Sequence, residues 1–262
     1  MPLQRPKAAP GWLGDLAGAW IFYSVLPLGA WPRPRFERIA RFAPWVGLVI
    51  GSLQALLWWA SVGRIPVAAQ VALVVALGLW LSGGLHMDGA MDTADGLGAG
   101  PRCLEAMEDS RVGAAGVLAL VQLLLLRAAA LFSLAALVPA LVPFALIAAS
   151  VWGRMAPLVA MERFPYLRPE PEGSAGFHRR HWRGLGRELR PSLVLLGFWA
   201  GLGAVGAWPG VLWSGGLPAL LVPLGLGRRL GGHSGDSYGA CVEWSEALAL
   251  AVMALLVVLG WA

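Results

Sequence analysis

Charge is scarce in this chain. Only 13% of its 262 residues are Asp, Glu, Lys or Arg, whereas 58% are hydrophobic and the mean hydropathy is +0.66. A soluble domain carries about twice that share of charge, so this composition excludes an ordinary soluble fold. Cysteine is nearly absent. Cys103 and Cys241 are too few for a disulfide framework, and no CxxC or Cys/His spacing offers a zinc site. Lysine is reduced to Lys7; the other nineteen of the twenty basic residues are Arg. Tyrosine occurs three times beside fourteen tryptophans, and tryptophan suits membrane interfaces. Residues 1–10, MPLQRPKAAP, precede no small-residue cleavage site, so no removed signal peptide is expected. The net charge of +5 would suggest nucleic acid in a soluble protein. In a membrane protein the positive-inside bias accounts for it, and no nucleic-acid partner is expected.

What is present is length of apolar run. Stretches of roughly twenty apolar residues read as spans over 43–62, 66–83, 112–133, 138–158, 191–208, 211–227 and 246–262. An earlier stretch from Trp12 to Trp31 contains Asp15 and breaks at Pro27, which favours a short interfacial or re-entrant helix. The expected fold is all-α: a polytopic membrane helical bundle of about seven transmembrane helices plus that N-terminal helix, in one catalytic domain over 1–262. With the amino terminus inside, seventeen basic residues fall in inner segments and only Arg64 outside, while Arg127 and Arg154 lie within spans. That asymmetry predicts a bacterial cytoplasmic (inner) membrane protein whose acidic clusters all face the cytoplasm.

Three segments concentrate the acids. In GGLHMDGAMDTADGLGAG, residues 83–100, Asp88, Asp92 and Asp95 follow one another at steps of four and three and share one helical face. Clustered carboxylates at a membrane edge repel one another and lose hydration. A divalent cation removes both costs, and its usual use there is to hold phosphate oxygens. His86 beside them reads equally as a packing residue. In RCLEAMEDSRVG, residues 102–113, Glu105, Glu108 and Asp109 share a face. Folded back as a hairpin through 98–101, this segment would present its acids to the first three. Arg111 there is placed either to meet a phosphate or to pair within its own segment. In GGHSGDSYGACVEWSEALAL, residues 231–250, Asp236, Glu243 and Glu246 approach the last span. The glycines with Ser234 and Ser237 there are candidates for a phosphate cradle. Arg154, alone within a span, needs a carboxylate or a substrate phosphate as partner.

The runs GGLHMDGAMDTADGL, LEAMEDSRVGAAGVLAL and GDSYGACVEWSEALAL, in this order and spacing, resemble the cobalamin synthase family, that is, adenosylcobinamide-GDP ribazoletransferase. The RFPYLRPEPEGSAG loop is also similar, and the resemblance covers nearly the whole chain. One position departs: Glu108 stands where the family pattern has a basic residue, so no phosphate contact is carried over to it. The resemblance implies Mg²⁺ as cofactor, with adenosylcobinamide-GDP and α-ribazole (or its 5′-phosphate) as substrates, GMP as leaving group, the bilayer as environment, and a homo-oligomer as a compatible state. Resemblance and chemistry together single out Asp88, Asp92, Asp95 and Glu105 as metal ligands. They single out His86, Asp95 and Asp109 as catalytic groups, and Ser110, Arg111, Arg154, Asp236 and Glu243 as substrate or phosphate contacts.

Other classes fit less well. A CDP-alcohol phosphotransferase wants D-G-x-x-A-R, and no Arg follows Asp88-Gly89 at that spacing. An Asp-rich prenyltransferase wants a second aspartate-rich run, which Glu105, Glu108 and Asp109 match poorly. A divalent-cation transporter would hold its acids at mid-membrane on broken helices.

Overall fold

The structure is a computed structural model that describes residues 10–29, 32–168, 174–203 and 208–261. Arg5 and Lys7 of the inner charge count, and positions 169–173 of the long polar loop, lie outside the described residues. The helices in chain order are α1 (Gly11–Tyr23), α2 (Ala43–Ser61), α3 (Val67–Leu81), α4 (Leu85–Gly98), α5 (Cys103–Glu108), α6 (Ala114–Leu137) and α7 (Val142–Arg163). They continue as α8 (Ser174–Arg180), α9 (Leu185–Glu188), α10 (Arg190–Gly203), α11 (Pro209–Trp213), α12 (Gly216–Leu230) and α13 (Gly235–Val258). Among the described residues the only β pairing is an isolated bridge between Tyr166 and His233. The protein is an all-α polytopic membrane protein.

Among the described residues, five helical stretches are long and apolar enough to cross a bilayer: Ile39–Ser61, Ala114–Leu137, Pro139–Arg163, Pro209–Leu230 and Gly235–Val258. A sixth is reached if α3 and α4 count as one broken span. The expectation of about seven also counted 191–208; there α10 has fourteen residues in the described part of the chain, and positions 204–207 lie outside it. At thirteen residues α1 is shorter still. Its Asp15 is buried, pairs with Arg41, and lies 3.8 Å from Arg35, while the Arg35 amide donates to the Gly14 carbonyl. The basic stretch after α1 thus clamps this helix to the entry of α2.

The core gathers around α7, which packs against α2, α12 and α13, and α13 in turn packs against α4 and α6. Two features of this packing position the site. The chain turns 90° between α3 and α4 at Gly83 and Gly84, whose φ of +64° and +72° lie in the left-handed region that glycine tolerates. That turn lays the acidic α4 across the end of α3. The second feature is the start of α13, eleven residues ahead of the expected 246. Ser234 and Ser237 form a reciprocal capping box there: the Ser237 amide donates to Ser234 Oγ and the Ser234 amide to Ser237 Oγ. These serines therefore close a helix end.

Candidate active site

Asp88, Asp92 and Asp236 come together because α4 and α13 cross at two glycines. A Cβ added at Gly89 would lie 2.6 Å from the Asp236 carbonyl oxygen, and one at Gly239 would lie 3.0 Å from the His86 carbonyl oxygen. The crossing encloses a cavity of about 160 Å³. His86, Asp88, Arg154 and Asp236, all singled out in the sequence, line it together with Tyr23, His178 and Tyr238. Asp88 is exposed and Asp92 half-buried, and Asp92 feels the negative charges of Asp88, Asp236 and Asp95. Among the described residues neither Asp88 nor Asp92 enters an ion pair. His86 is buried at 4% exposure and its ring stacks on Tyr23, centroids 5.9 Å apart.

Asp236 is held by a residue the sequence reading did not select. Arg168 donates to the Asp236 carboxylate at 2.7 Å, and its guanidinium lies 3.8 Å from Glu108. Backbone pairing sets it there: the Leu167 amide donates to the His233 carbonyl and the His233 amide to the Pro165 carbonyl, both at 2.9 Å. The signal for Arg168 was its place in the long Pro-rich loop, which named no individual residue. His178 was missed for the same reason, and Tyr23 and Tyr238 because an aromatic in an apolar run reads as packing.

Several expected site residues do other work. Asp95 is held by backbone amides of the next long helix. Its two carboxylate oxygens accept the amides of Gly113 and Gly116, each at 2.8 Å, and so cap the amino terminus of α6. Asp109 and Arg111 pair with each other at the surface through three side-chain hydrogen bonds. Arg111 holds the Asp109 carboxyl down at about 2, which makes it a poor base near neutral pH. Ser110 and Glu105 are exposed. The hairpin of α4 and α5 does form, with Gly96 packed against Met107 and Cys103.

Glu243 is likewise not in the cavity. Arg127 donates to it at 2.6 Å, Arg154 donates to Glu246 at 3.0 Å and to Ser150 Oγ at 2.7 Å, and Arg127 and Glu246 are 3.8 Å apart. Two Arg and two Glu make a buried, charge-balanced quartet around a space of about 20 Å³, roughly that of one water. Every acid in it has a cation. Arg154 belongs to this quartet and to the cavity wall.

The carboxylates near the cavity fit Mg²⁺ in one particular way. Among the described residues no three His, Cys, Asp or Glu side chains are grouped to cage a metal ion. Mg²⁺ retains several waters and is commonly held by one or two carboxylates plus substrate phosphates. Asp88 and Asp92, unpaired and crowded by like charge, are donors of that kind.

The family model for cobalamin-5-phosphate synthase matches residues 15–254. Adenosylcobinamide-GDP ribazoletransferase of Prochlorococcus marinus (strain MIT 9303) is 56% identical, covering 96% of this chain and 99% of its own length. The protein of that name from Thermosynechococcus vestitus is 42% identical over 91% of this chain and 93% of its own. The one from Synechocystis sp. is 39% identical over 94% and 96%. No solved structure matches. With a family match over almost its full length, the chain belongs to the cobalamin-5-phosphate synthase family and is an enzyme of cobalamin biosynthesis.

Proposed function

We propose that the protein joins α-ribazole, or its 5′-phosphate, to adenosylcobinamide-GDP with release of GMP, in a Mg²⁺-dependent reaction on the cytoplasmic face of the bacterial inner membrane. The observation that carries this reading is the crossing of α4 and α13, which gathers Asp88 and Asp236 with His86 and Arg154 around one cavity and sets Asp92 within reach of the Asp88 and Asp236 charges. The acceptor oxygen forms a bond to the corrinoid-linked phosphorus, the bond to the bridging oxygen breaks, and GMP departs with that oxygen. Bound Mg²⁺ supplies charge neutralisation at the phosphate oxygens. Asp88 and Asp92 would hold it.

The chain's own side chains do the rest. Arg154, braced by Ser150 and Glu246, presents a fixed positive charge to the cavity. Arg168 spans Asp236 and Glu108 at the mouth and meets substrate phosphate there. His86 lines the cavity with its Nδ1 unpaired among the described residues and holds the acceptor through a hydrogen bond there. Of the three catalytic candidates it is the one left, since Asp95 caps α6 and Asp109 is locked to Arg111.

Purified protein mixed with adenosylcobinamide-GDP, α-ribazole and Mg²⁺ tests the reading: GMP is expected, and none without acceptor. GMP formed equally well without acceptor would mean hydrolysis and would overturn it. Cysteines introduced at Ser110 and Arg64 are expected to label from opposite faces, Ser110 from the cytoplasm.

A further inference from the structure

We propose that the aromatic wall of this cavity is the subsite for the base of the acceptor nucleoside: a flat nitrogen heterocycle lies among Tyr23, His86 and Tyr238, and the corrinoid stays outside. This rests on the proposed function and assigns one half of the substrate pair to one place.

Three observations carry it. The first is unmet hydrogen bonding. His86 Nδ1 and Tyr238 Oη are buried without a partner among the described residues, and the two side chains are 4% and 6% exposed. Buried polar groups are nearly always satisfied, because leaving one unmet costs the desolvation of that group. Both residues line the same cavity. A heterocycle bearing one ring nitrogen and a ribose offers the donors and acceptors they lack.

The second is shape. Tyr23 and His86 stack with an interplanar angle of 26°, and Tyr238 lies nearly parallel to His233 at 19°. Tyr238 also stacks on Tyr166 at 23°, so these rings brace one another and turn their remaining surface to the cavity beside Phe22, Met161 and Val242, a lining that favours an apolar ring. The third is size. About 160 Å³ suits a bicyclic base, whereas a corrin macrocycle with its amide arms does not fit. With the base among the aromatics, its ribose is directed toward Asp88 and Asp236, where the phosphate chemistry is.

Steady-state kinetics of the full-length protein test this. Tyr238→Phe keeps the ring and removes the hydroxyl. We expect it to raise the KM for α-ribazole about tenfold, the effect of one lost hydrogen bond, and to leave the KM for adenosylcobinamide-GDP within about twofold. In the unaltered protein, benzimidazole itself should compete with α-ribazole and not with adenosylcobinamide-GDP. An unchanged KM for α-ribazole in Tyr238→Phe, or a raised KM for the corrinoid instead, overturns the assignment. If that variant does not fold, the inhibition pattern decides: benzimidazole competing with the corrinoid substrate overturns it. If the unaltered protein releases no GMP, the proposed function fails. The subsite is then read by calorimetry, as benzimidazole binding that weakens in Tyr238→Phe; no binding overturns it.

Discussion

The Arg168 guanidinium stands 2.7 Å from the Asp236 carboxylate, so the loop after α7 is tied to the first turn of α13, whose Asp236 lines the cavity. The bridge between Tyr166 and His233 holds the loop in register for that contact. Arg168 also lies beside Glu108, the position where the family pattern has a basic residue. A guanidinium from elsewhere in the chain thus occupies the neighbourhood that the local sequence leaves acidic.

Arg168→Ala is therefore expected to lower kcat/KM for adenosylcobinamide-GDP by about 100-fold, the size of effect seen when one preorganised donor is removed. Arg168→Lys should recover only part of it, since an ammonium cannot reproduce the planar fork. Unchanged kinetics with reduced thermal stability would make Arg168 a brace alone.

The quartet in the bundle predicts a stability effect. Removing one member of a buried ion pair leaves an uncompensated charge and costs about 3–5 kcal/mol. Arg127→Leu and Glu243→Leu should each give poorly folded protein, and the double variant should regain much of the loss. A double-mutant cycle on thermal or denaturant stability measures this. Additive losses would mean that the 2.6 Å contact does not couple the two.

Asp95 and its neighbours separate by role. Asp95→Asn keeps one acceptor for the α6 amides and loses the charge. It is expected to cost about 1 kcal/mol of stability, as lost caps do, with the Mg²⁺ dependence of turnover unaltered. A large rise in the Mg²⁺ requirement would return Asp95 to the metal site.

Gly89→Ala tests the crossing itself. The added methyl meets the Asp236 backbone at 2.6 Å, where a flexible side chain is not available to yield. Overpacking of this kind costs about 1–3 kcal/mol, and here the displacement also moves Asp88 and Asp92 away from Asp236. Both activity and thermal midpoint should fall; normal values for both would show that α4 and α13 approach less closely.

The fold was legible wherever one helix carried its own apolar run, as in α2, α6 and α7. The onset of α13 was not, because Glu243 and Glu246 broke the hydropathy and their neutralising partners, Arg127 and Arg154, come from α6 and α7. For the site, helical spacing put Asp88, Asp92 and Asp95 on one face, and so they are. Periodicity is silent about distance along the axis, however: seven residues advance about 10 Å, enough for Asp95 to meet the end of α6 while Asp88 faces the cavity. Local pairing of Asp109 with Arg111 was foreseen as one of two outcomes and is the one found. Arg168, His178 and Tyr238 needed the tertiary structure, since nothing in their local sequence distinguishes a cavity wall from a loop or a packed core.

The central claim is that Asp88 and Asp92 hold the ion that serves phosphoryl transfer at the α4–α13 cavity. GMP release by Asp92→Asn, followed against Mg²⁺ concentration with both substrates saturating, tests it most directly. The account predicts a Mg²⁺ requirement raised by at least about tenfold, in the range for a lost coordinating or supporting group, and a rate at limiting Mg²⁺ far below that of the unaltered protein. A Mg²⁺ profile superimposable on that of the unaltered protein would contradict it.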